Sequence, residues 1–307
     1  MKYRISHTTR YISNNKVGIG MNQVHLSPRE TPHQRCDFHR IYAAPIPSVS
    51  DRRVDYFGNQ VHYFSFENGY RDLEIKSISR VEVTPKPLPA DEETPPKESI
   101  LNEIQGALSP SILHAREMCC ISPNIPQFDK PIVDYARASF EKDTALFVCL
   151  RDLLGRFNDD FKFDGTSTTV HTPVGEVFEN KRGVCQDFAQ LLIAMLRGVG
   201  LPARYVSGYL RTIPPPGQKR LRGADASHAW VSVYTGDLGW VDIDPTNNLF
   251  VSEDHVTVAW GRDYTDVAPV RGIVIGAGPH SLRVSVDVEP DEGAPEIVDE
   301  NAKSATS

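Results

Sequence analysis

The chain has 307 residues, of which 40% are hydrophobic and 24% are charged, and its formal net charge is −7. This length and composition predict a globular protein with two compact units. No apolar run approaches the roughly 20 residues that a membrane-spanning helix needs. Residues 287–307 hold seven acids and one lysine, so the remaining chain is almost neutral and has no basic stripe for a nucleic acid. We therefore expect neither a membrane nor a nucleic-acid partner.

The first residues and the cysteines indicate the cellular compartment of the protein. Residues 1–11 read MKYRISHTTRY, without the apolar run of about 7 to 15 residues found in a secretory signal. Five cysteines are spread over the chain, and an odd, scattered set is not typical of a disulfide framework. We expect a cytoplasmic protein with reduced thiols.

The first unit, residues 1–84, is predicted to be an all-β, sandwich-like domain. Segments 61–66 and 73–78 alternate between apolar and polar residues and lie beside turn signals at 57–60 and 68–69, a pattern typical of paired strands. Residues 85–97 follow as a linker, because five prolines there fix φ and remove backbone donors.

The second unit, residues 98–286, is predicted to be α+β, with helices packed on an antiparallel sheet. Apolar residues recur at helical spacing from Leu146 to Phe157 and from Phe188 to Val199, and the second stripe ends at Gly200. Strands are expected at 228–234, 239–244 and 281–288, because these segments alternate. Residues 287–307 are predicted to be a disordered acidic tail.

Cys185 lies where a loop turns into the second apolar helix. The N–H groups and the positive dipole end of a helix start favour a thiolate over a thiol, which makes Cys185 a candidate nucleophile. However, Cys185 precedes Phe188 by three residues and is in line with the buried stripe. A free cysteine on such a face is commonly core filling, and the helix by itself favours that interpretation.

A predicted hairpin supplies the partners that a nucleophilic thiol needs. In the segment 227–234, His228 lies on the face opposite to an apolar one, and the segment 240–244 places Asp242 and Asp244 on a common face. If Tyr234 pairs with Trp240, His228 is a diagonal neighbour of Asp244, and a slip of one pair makes them directly opposite. Because Asp242 and Asp244 lie on the same face, the alternation pattern alone does not show which of them is the carboxylate that orients the ring.

Four motifs carry a family resemblance. They are Gly183-Val-Cys-Gln-Asp-Phe-Ala189, Gly200-Leu-Pro-Ala-Arg-Tyr-Val-Ser-Gly-Tyr209, Ser227-His-Ala-Trp230 and Gly239-Trp-Val-Asp-Ile-Asp-Pro-Thr-Asn247. The chain resembles the bacterial transglutaminase-like cysteine peptidase family, in detail over residues 160–265, and residues before the linker resemble its N-terminal region. The resemblance implies a papain-like core and a Cys-His-Asp catalytic triad, here Cys185, His228 and Asp244. Asp242 is then the less favoured third member.

The expected function is a thiol-dependent amide hydrolase that forms a thioester on Cys185 and acts on a peptide or protein amide. The alternatives are a transglutaminase that passes the acyl group to an amine, and a non-catalytic peptide-binding module. Trp230 and Trp240 are candidates for contacts with the substrate, although aromatic residues beside a core are often packing. No cofactor and no metal site are expected, because the other cysteines lack ligand spacing.

Overall fold

The structure is a computed structural model, and it describes residues 1–106, 108–125, 128–212, 227–276 and 278–291. The strands are β1 (Lys2–Val17), β2 (Ile19–Val24), β3 (Gln34–Ala44), β4 (Val49–Val54), β5 (Gln60–Phe66), β6 (Tyr70–Val83), β7 (Lys162–Phe163), β8 (Arg182–Gly183), β9 (Ala203–Leu210), β10 (Ser227–Tyr234), β11 (Trp240–Asp244), β12 (Leu249–Phe250), β13 (His255–Gly261), β14 (Val270–Ile275) and β15 (His280–Pro290). The helices are α1 (Lys97–Gly106), α2 (Pro110–Glu117), α3 (Lys130–Arg137), α4 (Leu146–Asp160), α5 (Val174–Asn180), α6 (Cys185–Gly198) and α7 (Tyr264–Val267). No helix in these ranges is long and apolar enough to cross a membrane.

The N-terminal unit is a sandwich of two four-stranded antiparallel sheets. One has the strand order β15-β1-β6-β3 and the other β14-β2-β5-β4. Apolar side chains from both sheets form a common core, among them Phe64 and Phe66 of β5 and Leu73 and Ile75 of β6. Because these strands alternate with a period of two, their apolar side chains point into the space between the two sheets. The all-β prediction for the start of the chain is therefore confirmed.

The end of the chain departs from the expected boundaries. Strand β15 pairs with β1, from Ser13 opposite His280 to Tyr3 opposite Pro290, and β14 pairs with β2. Residues 270–290 thus complete the N-terminal sandwich instead of ending the second unit, because they cover two otherwise open sheet edges. The acidic tail does not begin at residue 287, which lies within β15. Residues 292–307 lie outside the described residues.

The core of the second unit extends into the N-terminal unit. The odd-numbered residues of β6 are buried from Leu73 to Val83. Leu73 and Ile75 pack inside the sandwich, whereas Val81 and Val83, further along the strand, join the core of the second unit. A single long strand thus contributes to both cores. The connection that follows holds a short 3-10 helix at Asp91–Glu93 before α1 begins.

The second unit is a five-stranded antiparallel sheet, with the order β12-β11-β10-β9-β13, packed against α6. Most of α6 is buried, because it also packs against α3 and α5. Ala229, Val231 and Val233 of β10 belong to the core on the helix side of this sheet. The opposite parity therefore places His228 away from that apolar face, as the alternation predicts.

The hairpin register is the one that the Tyr234 and Trp240 pairing predicts. Strands β10 and β11 pair Tyr234 with Trp240 and Val231 with Ile243. On the other side of β10, His228 lies opposite Gly208 of β9. A Cβ at Gly208 would lie 2.2 Å from a backbone oxygen of β13 and 2.4 Å from the ring of Trp230. This position therefore requires glycine, so that three strands and a tryptophan ring can meet.

Candidate active site

Cys185 is the first residue of α6 and is half-buried. The turn that presents it is held by Asp187, whose carboxylate accepts hydrogen bonds from the Val184 amide at 2.8 Å and the Thr168 hydroxyl at 2.6 Å. Burial raises the pKa of Asp187. These bonds occupy one of the free N–H groups at the helix start and fix the loop before the cysteine. Asp187 is thus a structural support of the turn that presents the thiol.

His228 lies between a thiol and a carboxylate. Its Nε2 is 2.7 Å from Oδ2 of Asp244, and the side chain of Cys185 is near enough to influence the pKa of the ring. His228 is 9% exposed and Asp244 is fully buried. The structure therefore brings together the three residues that the family resemblance selects, in the order thiol, imidazole, carboxylate that nucleophilic catalysis by a thiol requires.

The pKa values of the pair follow from this contact. Burial is the largest influence on His228 and lowers its pKa, but the hydrogen bonds and the negative charges of Asp244 and Cys185 outweigh it and raise the pKa to about 9. For Asp244, burial alone would raise the pKa, but hydrogen bonds from two histidines and the nearby positive charge bring it well below its usual range. At neutral pH the site therefore favours an imidazolium beside a carboxylate.

Asp244 is held from several directions. Its Oδ2 contacts Nε2 of His255 at 3.1 Å and accepts a hydrogen bond from Nδ2 of Asn247 at 2.7 Å. Its Oδ1 accepts hydrogen bonds from the backbone amides of Thr246 and Asn247, at 2.9 and 3.3 Å. A carboxylate with five polar contacts has little freedom to turn away from His228. Its partners compensate for the loss of water around a buried charge.

Asp242, the alternative orienting carboxylate, has a different partner. Its Oδ2 accepts a hydrogen bond from Nε1 of Trp230 at 3.0 Å, and it lies opposite Ser232 in the β10 and β11 ladder. The geometry therefore favours Asp244 over Asp242 as the residue that orients His228. The two acids share a strand face, but only Asp244 lies at the end where the ring of His228 is found.

The two candidate substrate contacts, Trp230 and Trp240, lie in different surroundings. Trp230 is fully buried, and its ring packs beside His228 and His255, with centroids 6.0 and 5.2 Å away. In this position Trp230 contributes to packing and offers no surface to a substrate. Trp240 is half-buried and borders a cavity.

His255 and Asn247 are two contributors that the sequence reasoning did not assign. His255 starts β13, a strand remote in sequence from the hairpin, and no local pattern marks it. Asn247 lies within the quoted Asp-Pro-Thr-Asn motif, which is the signal that could have identified it. His228, Asp244 and His255 also place potential metal-ligand atoms within 4.8 Å of one another. Hydrogen bonds centred on Asp244 already account for this cluster.

Comparison with protein families identifies both units. The model of the transglutaminase-like superfamily core matches residues 133–245, and the model of the bacterial transglutaminase-like N-terminal region matches residues 3–82. The first match contains Cys185, His228 and Asp244. The second covers the strands β1 to β6 but not the two C-terminal strands that complete the sandwich.

Similar proteins occur among sequences and solved structures. An uncharacterized protein of Mycobacterium tuberculosis is 40% identical over 297 residues, which cover 95% of this chain and 94% of the relative. A protein-glutamine gamma-glutamyltransferase of Pseudomonas aeruginosa is 29% identical over 121 residues, or 38% of this chain and 18% of that enzyme. A crystal structure from Cytophaga hutchinsonii, assigned only provisionally as a cysteine protease, superposes with a TM-score of 0.72 at 20% identity, covering 98% of this chain and 95% of that one. This last likeness shows a common fold.

Proposed function

The chain belongs to the transglutaminase-like superfamily, and from this membership and the site geometry we propose that it is a thiol-dependent amide hydrolase acting through Cys185, His228 and Asp244. Membership of the superfamily supports a thiol-dependent catalytic function in general. The observation that carries the specific proposal is the 2.7 Å contact between His228 Nε2 and Asp244 Oδ2, with the side chain of Cys185 near enough to raise the pKa of the same imidazole.

The reaction follows from the charges of the site. The thiol proton of Cys185 passes to His228, whose raised pKa favours the imidazolium, and Asp244 stabilises the charged ring. The thiolate attacks the amide carbonyl carbon, and the C–N bond breaks as His228 returns the proton to the leaving amine. A thioester on Cys185 remains. His228 then takes a proton from water, whose oxygen attacks the thioester and releases a carboxylic acid and the thiol. The amide of Cys185, at the helix start, is suited to donate to the developing oxyanion.

The test is detection of the thioester together with release of acid. Profiling against a diverse peptide library should reveal cleaved amides, and intact-mass measurement after a rapid acid quench should show an acyl adduct on Cys185. Cys185→Ala should abolish both signals, whereas Cys120→Ala, which removes an exposed cysteine, should change neither. If Cys185 forms no adduct and reacts with iodoacetamide no faster than the buried Cys149, the proposal is wrong and a non-catalytic peptide-binding module is the better description.

Transfer of the acyl group to an amine is the second candidate. It is favoured by the similarity to the Pseudomonas aeruginosa protein-glutamine gamma-glutamyltransferase. Both reactions proceed through the same thioester and differ only in whether water or an amine attacks it. A glutamine-containing peptide incubated with a labelled primary amine separates them. Hydrolysis should exceed amine incorporation, and the reverse ratio would assign the chain as a transglutaminase.

A further inference from the structure

A cavity of about 520 Å³ lies between the N-terminal unit and the sheet of the second unit. Its walls come from the loop before β3, the start of the connection after β6, and strands β9, β11 and β13. Neither Cys185 nor His228 lines it. The volume is within the range of roughly 300 to 1,000 Å³ that is typical of small-molecule sites, which often lie between units of a fold.

Arg204 of β9 lines this cavity and is only 6% exposed. Its guanidinium stacks on the rings of Trp240 and Trp260, with its central carbon 4.2 and 3.7 Å from the two ring centroids. Stacking on the faces of a guanidinium leaves its N–H groups, which lie in the plane, available for hydrogen bonds. The Nε of Arg204 is buried and has no hydrogen-bond partner within the part of the chain that the structure describes.

Arg197 of α6 shows how this chain satisfies a buried arginine that is purely structural. It is 3% exposed and donates hydrogen bonds to the backbone oxygens of Ala203, Cys120 and Arg262, at 2.7 to 3.0 Å. Arg204 is buried to a similar degree. The charge of Asp242 is near enough to favour the charged form of Arg204, but the buried Nε still lacks a hydrogen-bond partner. Because an unsatisfied buried donor is costly, Arg204 is expected to bind a group that is not a described part of this chain.

Two further polar atoms beside Arg204 are also unsatisfied. Ser232 lies opposite both Arg204 and Asp242 in the sheet, is fully buried, and has an Oγ without a hydrogen-bond partner. His255 lines the cavity, and its Nδ1 is buried without a partner. Ser232 itself does not line the cavity, but Arg204 and His255 do. Buried polar groups are nearly always hydrogen-bonded, so two unsatisfied atoms on lining residues indicate a site for a polar ligand.

The charged residues that line the cavity favour a ligand with a single negative charge. Arg204 and Lys86 are cations, and Asp242 is the only acid among the described lining residues. Lys86 donates hydrogen bonds to the carbonyl oxygens of Leu238 and Trp240, at 2.6 and 3.0 Å, so its charge is not neutralised by a direct ion pair. Tryptophan and aliphatic side chains form much of the remaining wall. A ligand with one anionic group and an apolar body matches this surface.

We propose that this cavity is a binding site for a small organic carboxylate, whose carboxylate binds Arg204 and whose apolar body packs against Trp240. The planar, two-pronged guanidinium matches the geometry of a carboxylate. Either a free organic acid or the C-terminal carboxylate of a short peptide has this chemistry. The proposal does not depend on the reaction at Cys185, because binding can be measured without catalysis.

Titration calorimetry with 4-phenylbutyrate tests the site, with 4-phenylbutyramide as the uncharged match. N-acetylphenylalanine and N-acetylphenylalaninamide form a second pair that represents a peptide C-terminus. Binding of either carboxylate at least tenfold tighter than its amide supports the proposal, and the tighter of the two acids identifies the source. All measurements use the Cys185→Ala chain, so their outcome leaves the proposed catalytic function untouched.

Two variants test whether the carboxylate binds at Arg204. Arg204→Met keeps an unbranched side chain between the tryptophans but removes the charge, and it should weaken carboxylate binding at least tenfold while leaving amide binding unchanged. Arg53→Met removes an exposed arginine of β4 and should have no effect. If Arg204→Met folds poorly, the comparison of acid and amide binding to the chain that retains Arg204 still tests the proposal. Equal affinity for acid and amide, no binding of either acid, or unchanged binding in a folded Arg204→Met chain would overturn the proposal.

Discussion

Replacing Asp244 by Asn tests how the site creates a reactive thiol. The side chain keeps its size, but the buried negative charge next to His228 Nε2 is lost. The rise of the His228 pKa from 6.5 to about 9 corresponds to roughly 3 kcal/mol in favour of the imidazolium, at about 1.4 kcal/mol per pKa unit. Burial opposes this rise and Cys185 shares it with Asp244, so about 3 kcal/mol serves as the order of magnitude for Asp244. The expected result is a loss of kcat/KM of up to about 100-fold.

The assay is the rate of iodoacetamide labelling of Cys185 as a function of pH, followed by peptide mass spectrometry. In the parent chain, labelling should remain fast well below pH 8.5, because the imidazolium stabilises the thiolate. In Asp244→Asn the midpoint should move upward toward that of an ordinary thiol. The exposed Cys120 provides an internal reference in every sample.

Asp242→Asn is the matched control. It changes an acid on the same strand face, but one that accepts its hydrogen bond from Trp230 rather than from His228. Its labelling midpoint should equal that of the parent chain. If Asp242→Asn shifts the midpoint and Asp244→Asn does not, the assignment of Asp244 as the orienting residue is refuted. Far-ultraviolet circular dichroism must first show that both variants are folded.

Three further predictions test the surroundings of the site. His255→Gln should lower kcat/KM by about 3- to 10-fold and shift the labelling midpoint less than Asp244→Asn, because the carboxylate keeps its other partners; an equal shift would contradict this. Because the folded-state pKa of His228 lies above its ordinary value, its protonation stabilises the fold fully below pH 6.5, and this contribution is lost as the pH rises through about 9. Urea unfolding of the parent chain relative to His228→Gln should show that decline, and a difference independent of pH would contradict it. Gly208→Ala should destabilise the fold by about 1 to 3 kcal/mol, since its Cβ would meet β13, whereas Gly155→Ala, in an open position of α4, should stabilise it by about 0.5 to 1 kcal/mol in urea titrations.

The local patterns in the sequence were enough to predict the elements that carry the chemistry. Helical spacing from Phe188 to Val199 predicted a buried helix that begins near Cys185, and α6 begins there. Period-two alternation placed His228 away from the apolar face of its strand, and the pairing of Tyr234 with Trp240 is observed. These features depend on residues a few positions apart, and the geometry of a helix or strand therefore determines them.

What the tertiary structure decided involves residues that are far apart in the chain. Asp242 and Asp244 have the same parity, and the family resemblance rather than any local pattern favoured Asp244; in the structure the ring of His228 contacts Asp244. His255 reaches Asp244 from another strand, and residues 270–290 return to the N-terminal sandwich. Arg204 has the sequence pattern of an ordinary strand residue, yet packing buries it between two tryptophan rings and leaves its Nε without a hydrogen bond. Strand order and the burial of charge arise from long-range packing, which no period along the sequence encodes.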